Sequence, residues 1–220
     1  MTASKRRVAV LISGRGSNMA ALVTAAKERD FPAEITLVLS NRSDAAGLAH
    51  AQAAGIATAI VDHREHDRAA SEHAMQRVLE KADIDIVCLA GFMRLLTPWF
   101  VGEWKDRMLN VHPALLPAFK GLHTHERALA AGVKIHGASV HFVTSEMDTG
   151  PIIAQGALAV RGDDTVQTLA ARVLEIEHRI YPLALELLAA GRVRLDQGRC
   201  VIEELACSEA ILIAPRGERS

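Results

Sequence analysis

Short apolar runs rich in β-branched residues alternate along this chain with longer, amphipathic and alanine-rich stretches. Strands are predicted at Arg7–Ile12, Ile35–Leu39, Thr58–Val61, Ile84–Ala90 and Met108–Val111, and helices at Asn18–Arg29, Ala45–Ala54 and Arg64–Lys81. Continuous apolar runs indicate strands buried on both faces, and their alternation with helices indicates crossovers around a parallel sheet. The sequence therefore predicts an α/β fold with a mostly parallel, twisted sheet of about seven strands and helices on both faces.

The second half of the chain predicts a more mixed topology. Ala138–Thr144 and Ile152–Val160 flank the turn-rich segment SEMDTGP, which favours an antiparallel pair. A long helix is predicted over Thr165–Ala190, with a kink at Pro182 and an end at Gly191. The residues around positions 197–198 predict a C-terminal hairpin. We expect one domain over residues 1–220, with a nucleotide-fold half at about 1–105, a mixed half at about 106–206 and a tail at 207–220.

Composition and charge narrow the class of protein. Twenty-five basic and 26 acidic residues give no overall bias toward nucleic acid or anionic membrane. The three cysteines are odd in number and lack the spacing of metal ligands, so reduced thiols in a cytosol are expected. The N-terminal apolar run is too short for a signal peptide, and no run approaches the roughly 20 residues of a membrane span. We therefore expect a cytoplasmic protein without a nucleic-acid or membrane partner.

The first predicted strand ends in Ser13-Gly14-Arg15-Gly16-Ser17-Asn18 and leads directly into a helix. Two glycines let the backbone turn tightly, and the free N–H groups of a helix N-terminus favour an anion. A dinucleotide fingerprint would have a third glycine at Met19, and a P-loop would have Gly-Lys-Ser/Thr; both are missing. The loop predicts either a phosphate cradle for a mononucleotide-sized ligand or a plain glycine turn in which Ser17 or Asn18 caps the helix.

The strongest candidate for chemistry is the segment LNVHPALLP at residues 109–117. Residues two apart in a strand face the same side, so Asn110 and His112 project together. Pro113 ends the strand and puts the pair near its carboxyl end, where open α/β sheets bind ligands. An amide can stabilise a developing oxyanion and an imidazole can move a proton. A carboxylate at Asp148 would favour protonated His112; alternatively, Asp148 closes a turn and His112 is an interior histidine.

The remaining histidines give weaker indications. His123 and His125 are spaced like a metal pair, but no third ligand stands near them with suitable spacing. His141 should face the same side of its strand as Ser139. Spacing alone leaves the role of His141 open.

The chain resembles the glycinamide ribonucleotide formyltransferases, a branch of the formyl-folate transferases and hydrolases, in segments that occur in family order: SGRGSN, AGFMRLL, NVHPALLPAFKGLHTH, HGASVHFV, MDTGPII and EHRIYP. NVHPALLP with the downstream aspartate is typical of the wider superfamily, and the GSN loop points to the glycinamide ribonucleotide branch. The resemblance implies a Rossmann-like formyltransferase fold. It also implies transfer of a formyl group from 10-formyltetrahydrofolate, as co-substrate, to the amine of glycinamide ribonucleotide in purine biosynthesis, without a metal.

The resemblance further implies roles for individual residues. Asn110 would hold the formyl oxygen, a protonated His112 would stabilise the tetrahedral oxyanion, and Asp148 would keep His112 charged and help relay the amine proton. The nucleotide substrate would bind through its phosphate at Gly16, Ser17 and Asn18 and through its ribose at Glu177. The folate would contact Arg64, Met93, Arg94, Leu95 and Leu96 and the covering loop residues Val143, Thr144 and Met147.

Other functions stay open at this point. Methionyl-tRNA formyltransferase shares the Asn-x-His and LLP pattern but normally carries an RNA-binding domain. Formyltetrahydrofolate deformylase shares the histidine and aspartate but needs no phosphate cradle. A nucleotide-binding module without catalysis would make the Asn110, His112 and Asp148 pattern accidental. The sequence gives neither the oligomeric state, which leaves a homodimer open, nor roles for Arg15 and the tail after Ala206.

Overall fold

The computed structural model describes residues 4–65, 67–203, 212 and 214, so most of the predicted tail at 207–220 lies outside the described residues. Within them, strands and helices alternate as the hydrophobic pattern predicts. The strands are β1 (Arg6–Ile12), β2 (Ala33–Ser40), β3 (Ala57–Ile60), β4 (Ile86–Leu89), β5 (Met108–His112), β6 (Ile135–Phe142), β7 (Ile152–Ala159), β8 (Val193–Asp196) and β9 (Arg199–Ile202). The helices are α1 (Ser17–Ala26), α2 (Gly47–Ala53), α3 (Arg68–Lys81), α4 (Pro98–Glu103), α5 (Thr124–Ala130) and α6 (Val166–Ala189).

The seven-stranded sheet has the order β3-β2-β1-β4-β5-β6-β7, and β8 and β9 form a separate antiparallel hairpin. Strands β1 to β5 pair in parallel, whereas β6 and β7 extend the β5 edge in antiparallel fashion. The predicted mostly parallel sheet and C-terminal hairpin are thereby confirmed. The strand order reverses between β1 and β4, and such a switch point opens a ligand crevice at the carboxyl ends of the strands.

Both faces of the sheet are covered, because alternate residues of β1 belong to different cores. Val8, Val10 and Ile12 pack with buried residues of α1 and α6 on one face. Ala9 and Leu11 pack with buried residues of α3 and α4 on the other. A strand that is buried on both sides has the continuous apolar sequence from which β1 was predicted.

Two of the differences from the predicted helices have local causes. Helix α3 begins at Arg68 rather than Arg64, because the Asp67 side chain accepts a hydrogen bond of 2.7 Å from the Ala70 N–H and so caps the helix. Helix α4 was not predicted, since its six residues are too few to show a helical period. It begins after Thr97, whose hydroxyl caps it, with a proline in the first turn.

The long helix α6 has defined signals at both ends. Thr165 caps its start, and Gly191, with φ of 71°, follows its last turn. The Gly191 N–H donates to the Leu188 carbonyl oxygen and the Arg192 N–H donates to the Leu187 carbonyl oxygen, both at 3.0 Å. The helix therefore ends in a Schellman motif at the predicted glycine. Of the helices in the described part of the chain, none combines the length and the apolar character that crossing a membrane requires.

Candidate active site

The loops that follow β1, β2 and β4 are tied together at the carboxyl edge of the sheet. The Ser13 hydroxyl donates to Asn41 Oδ1 at 2.6 Å and accepts from the Met93 N–H at 2.8 Å. Because Ser13 directly follows β1, this contact fixes the first loop against the segment after β4. The two regions predicted to bind different substrates are therefore neighbours.

The first loop presents the N-terminus of α1 without a side-chain cap. Gly16 occupies the N-cap position with φ of 77°, and no side chain there accepts a hydrogen bond from the first turn. A Cβ on Gly16 would lie 2.9 Å from the Cα of Gly47, so the packing of α2 against the loop also requires glycine. The interpretation of Ser17 or Asn18 as a helix cap is wrong. The first N–H groups of α1 keep their capacity to bind an anion.

A buried pair joins this loop to α6. Asn18 Nδ2 donates to Glu177 Oε2 at 2.6 Å, and both residues are buried. Burial raises the pKa of Glu177, and the hydrogen bond from Asn18 opposes part of that rise. Asn18 Oδ1 is buried and has no hydrogen-bond partner. The pair thus places an unused acceptor and a carboxyl group next to the open helix end.

The three predicted catalytic residues converge. Asn110 and His112 occupy alternate positions of β5, and Asp148 lies with φ of 54° in the connection from β6 to β7. His112 Nδ1 is 3.4 Å from Asp148 Oδ2, and His112 Nε2 is 2.9 Å from the Phe119 carbonyl oxygen. Both ring nitrogens of His112 therefore face hydrogen-bond acceptors.

His141 completes the cluster and was not assigned a role from sequence. It pairs with Asn110 across β5 and β6, and its Nε2 is 3.3 Å from Asn110 Nδ2 and 3.7 Å from Asp148 Oδ1. Its Nδ1 donates to the Phe142 carbonyl at 2.8 Å. Burial lowers the pKa of His141, so the neutral ring accepts from Asn110 and fixes the orientation of the amide. Alternation along β6 indicated the face, but only the cross-strand register reveals the partner.

A glycine shapes the connection that delivers Asp148. A Cβ on Gly150 would overlap the Phe142 carbonyl oxygen, so the chain can turn back from Asp148 into β7 only with glycine at this position. The motif MDTGP therefore encodes both the carboxylate and the tight turn that directs it toward His112.

Most of the residues predicted to bind folate line one cavity of about 660 Å³ beside the catalytic cluster. Its walls include Met93, Arg94, Leu95, Leu96, Val143, Thr144 and Met147, together with Asn110, His112, His141 and Asp148. Met93 and Leu95 are 72% and 62% exposed, which leaves apolar surface free for a ligand to cover. A cavity of this size, mostly apolar and with a few polar groups at one end, suits a small organic molecule.

The structure does not bring Arg64 to this cavity. Its guanidinium binds both carboxylate oxygens of Asp62, at 2.9 and 2.6 Å, and that pairing lowers the pKa of Asp62. Arg68, at the start of α3, instead lines a smaller adjoining cavity together with Arg94. Arg68 also lies 3.7 Å from the buried carboxylate of Glu72. The arginine that borders the cavities is thus four positions later than Arg64.

Metal binding has no support in the described residues, where no group of three or more His, Cys, Asp and Glu side chains is arranged to hold an ion. His125 contacts another histidine rather than His123: its Nδ1 is 3.3 Å from His136 Nε2. His123 and His125, which are spaced like a metal pair in the sequence, therefore contact different residues.

Acidification should destabilise the wild type more steeply than a His136→Asn variant. His136 is buried, and burial, with smaller contributions from His125 and His112, lowers its pKa to about 4. The unfolded chain then binds more protons than the folded one below a pH of about 6.5, so the free energy of unfolding falls as pH drops toward 4. We expect an excess loss of about 2 kcal/mol for the wild type between pH 7 and 5. Urea denaturation at each pH measures it, and parallel pH dependences of the two proteins would contradict the prediction.

The fold and the site together define a class of protein. The model of the formyl transferase family matches residues 6–185, and the chain belongs to this family. Over 191 residues it is 43% identical to the phosphoribosylglycinamide formyltransferase of Escherichia coli (strain K12), a match that covers 86% of this chain and 90% of that protein.

Two further comparisons agree with this assignment. A crystal structure of glycinamide ribonucleotide transformylase 1 from Symbiobacterium toebii gives a TM-score of 0.88 at 43% identity and covers 90% of this chain and 94% of that one. The trifunctional purine biosynthetic protein adenosine-3 of Bos taurus is 50% identical over 203 residues, which is 91% of this chain. The chain spans only 20% of the length of that relative.

Proposed function

We propose that this chain transfers the formyl group of 10-formyltetrahydrofolate to the amine of glycinamide ribonucleotide. The products are N-formylglycinamide ribonucleotide and tetrahydrofolate. The observation that carries the proposal is the convergence of Asn110, His112 and Asp148 on a cavity of about 660 Å³. Membership of the formyl transferase family supports the chemistry, and the names of the most similar relatives support the choice of substrates.

The nucleotide binds at the first loop in this proposal. Gly16, Ser17 and Asn18 hold the phosphate, because the uncapped start of α1 offers N–H donors and a favourable dipole to an anion. Glu177 contacts the ribose hydroxyls. Its neighbour Asn18 leaves Oδ1 without a partner in a buried position, which supports a polar ligand beside this pair.

The folate occupies the large cavity. Met93, Leu95 and Leu96 pack against its apolar rings, and Val143, Thr144 and Met147 cover it. Arg94 lines this cavity and Arg68 lines the adjoining one, so these two cations suit the carboxylates that a folate carries in its glutamate tail. Arg68 takes the place that the sequence had suggested for Arg64.

The catalytic groups divide the work of the transfer. Asn110 binds the formyl oxygen with the amide hydrogen that His141 leaves free, and the positive charge of His112 stabilises the oxyanion that develops on that oxygen. A C–N bond forms between the substrate amine and the formyl carbon, and the bond from that carbon to N10 of the folate breaks. Asp148 relays the proton lost by the amine, which ends on N10.

An assay with and without the ribonucleotide tests the proposal. The purified chain is mixed with 10-formyltetrahydrofolate, and the absorbance change that accompanies loss of the formyl group is followed. We expect turnover only when glycinamide ribonucleotide is present. Turnover without it would instead indicate a deformylase, and binding of either ligand without turnover would indicate a nucleotide-binding module.

Replacing Ser17 with alanine should raise the KM for the ribonucleotide about tenfold and leave kcat nearly unchanged. The hydroxyl is expected to donate to the phosphate, and a hydrogen bond to a charged group contributes about 1.5–3 kcal/mol. Ser43→Ala is the matched control, since Ser43 is an exposed serine in a different loop. Steady-state kinetics with varied ribonucleotide measure the effect; an unchanged KM would remove Ser17 from the phosphate site.

We also propose a cytoplasmic location and action on small molecules without a metal, nucleic acid or membrane. Cys88 and Cys200 are free thiols, which suits a reducing compartment. The nearly balanced charge gives no general attraction to phosphate polymers. Assembly into a homodimer is part of the same proposal, and sedimentation of the purified chain tests it.

A further inference from the structure

The segment from Phe119 to Leu122, called the 119–122 loop below, contacts both ionisable groups of the catalytic cluster. The Phe119 carbonyl oxygen accepts from His112 Nε2 at 2.9 Å, and the Gly121 N–H donates to Asp148 Oδ2 at 2.8 Å. Both contacts come from the main chain. Their geometry therefore depends on how the loop backbone is held.

The backbone of this loop adopts conformations that side chains disfavour. Phe119 has φ of 53° and His123, directly after the loop, has φ of 58°, whereas Gly121 has φ of 79° at no such cost. A left-handed conformation at a bulky residue costs on the order of 1–3 kcal/mol and persists only where surrounding contacts impose it. The loop consequently needs an external anchor to keep the Phe119 carbonyl directed at His112.

Arg127 on α5 supplies contacts along the whole loop. Its Nη1 donates to the carbonyl oxygens of Lys120 at 2.6 Å and of Leu122 at 3.4 Å. Its guanidinium carbon lies 5.7 Å from the centre of the Phe119 ring, and His136 approaches the same ring edge-on at 5.9 Å. Its sequence neighbour Glu126 pairs with His123, Oε2 to Nδ1 at 3.1 Å, and the contacts of the Arg127 guanidinium are made with the loop.

We propose that Arg127 is a positioning residue for formyl transfer, which acts by holding the 119–122 loop against His112 and Asp148. This inference rests on the proposed function. Arg127 does not line the large cavity, so it reaches the reaction only through the loop. A guanidinium can bind two carbonyls and cover an aromatic ring at once, whereas an ammonium can satisfy only part of this arrangement.

The kinetic test compares Arg127→Gln and Arg127→Lys with the control Arg77→Gln. Arg77 is an exposed arginine on α3. Misplacement of catalytic groups by about 1 Å lowers rates by up to about 10²-fold, so we expect kcat of Arg127→Gln to fall about 10- to 100-fold. The KM for each substrate should stay within about twofold of the wild-type value. The kcat of Arg127→Lys should lie between those of Arg127→Gln and the wild type. The kcat of the control Arg77→Gln should match the wild-type value.

A spectroscopic readout separates the loop contact from activity. In long-range 1H–15N spectra of the full chain, the His112 Nε2–H signal should be visible and slow to exchange in the wild type and the control, because the Phe119 carbonyl accepts its hydrogen bond. It should broaden or exchange rapidly in Arg127→Gln at a temperature where circular dichroism shows the variant folded.

The possible outcomes distinguish the inference from the proposed function. Wild-type kcat in Arg127→Gln, or a rise in KM alone, would overturn the positioning role, as would an unchanged His112 signal. If Arg127→Gln fails to fold, Arg127→Lys serves as the test variant. A wild-type kcat and an unchanged His112 signal in Arg127→Lys would then overturn the positioning role. A wild-type chain without formyl transfer would refute the proposed function, while the His112 signal would still report whether Arg127 anchors the loop.

Discussion

Replacement of His112 by alanine should lower kcat by about 10²–10⁴-fold, the usual range for a general acid–base group. The imidazole is buried between the Phe119 carbonyl and the Asp148 carboxylate, and each ring nitrogen faces one of these acceptors. Under the proposed function, the oxyanion then loses the positive charge assigned to His112, and Asp148 loses one of its partners. Because the lost interaction acts mainly in the transition state, kcat/KM should fall together with kcat.

His50→Ala is the matched control for this experiment, since His50 is an exposed histidine on α2. Initial rates of formyl transfer with both substrates saturating give kcat, and a thermal melt shows whether the variant is folded. A folded His112→Ala protein with near-normal turnover would refute the catalytic assignment. A change confined to KM would make His112 a binding residue only.

Asp148→Asn should cost a similar 10²–10⁴-fold in kcat, although it removes only a charge. The two carboxylate oxygens face His112 Nδ1, His141 Nε2 and the Gly121 N–H, at 3.4, 3.7 and 2.8 Å. Gly121 and His112 face the same carboxylate oxygen, so an amide can keep its carbonyl oxygen there and direct its NH₂ group toward His141 Nε2. The variant therefore preserves the hydrogen bonds but loses the negative charge and the proton-accepting group that the proposed relay requires.

The control for Asp148→Asn is Asp163→Asn, which makes the same chemical change at an exposed loop position. Turnover should be measured beside the melting temperature, because Asp148 also accepts a hydrogen bond from Gly121 in the 119–122 loop. Normal kcat in Asp148→Asn would contradict both the proton relay and the charge pairing. A fall in melting temperature without a fall in kcat would reduce Asp148 to a residue that closes a turn.

The parts of the fold that sequence could predict are those with local causes. Continuous apolar runs predicted β1 and its neighbours, and the antiparallel pair followed from two runs around a turn-rich segment. Strand alternation placed Asn110 and His112 on one side of β5. Asp148 was found because its loop has the residues of a tight turn, and Gly150 explains why that turn is there.

What sequence could not predict depends on distant contacts. The partnership of His141 with Asn110 requires the β5–β6 register, which links residues 31 positions apart. Arg64 lies away from the large cavity because its guanidinium is bound by Asp62, whereas Arg68, four residues later, lines the adjoining cavity. The hydrogen bond from His112 to the Phe119 carbonyl could not be predicted either, because every residue has a main-chain carbonyl and no side-chain type marks this one.

The order of the elements in the sheet separates the proposed nucleotide site from the proposed catalytic groups along the chain. Asn110, His112 and Asp148 come from β5 and the connection after β6, whereas the proposed phosphate site belongs to the first loop. Under the proposed function, evolutionary change at the β1–α1 junction can alter the amine that is accepted and leave the catalytic groups intact. Such an arrangement is suited to evolutionary diversification of acceptors, because each new specificity begins from the same set of catalytic side chains.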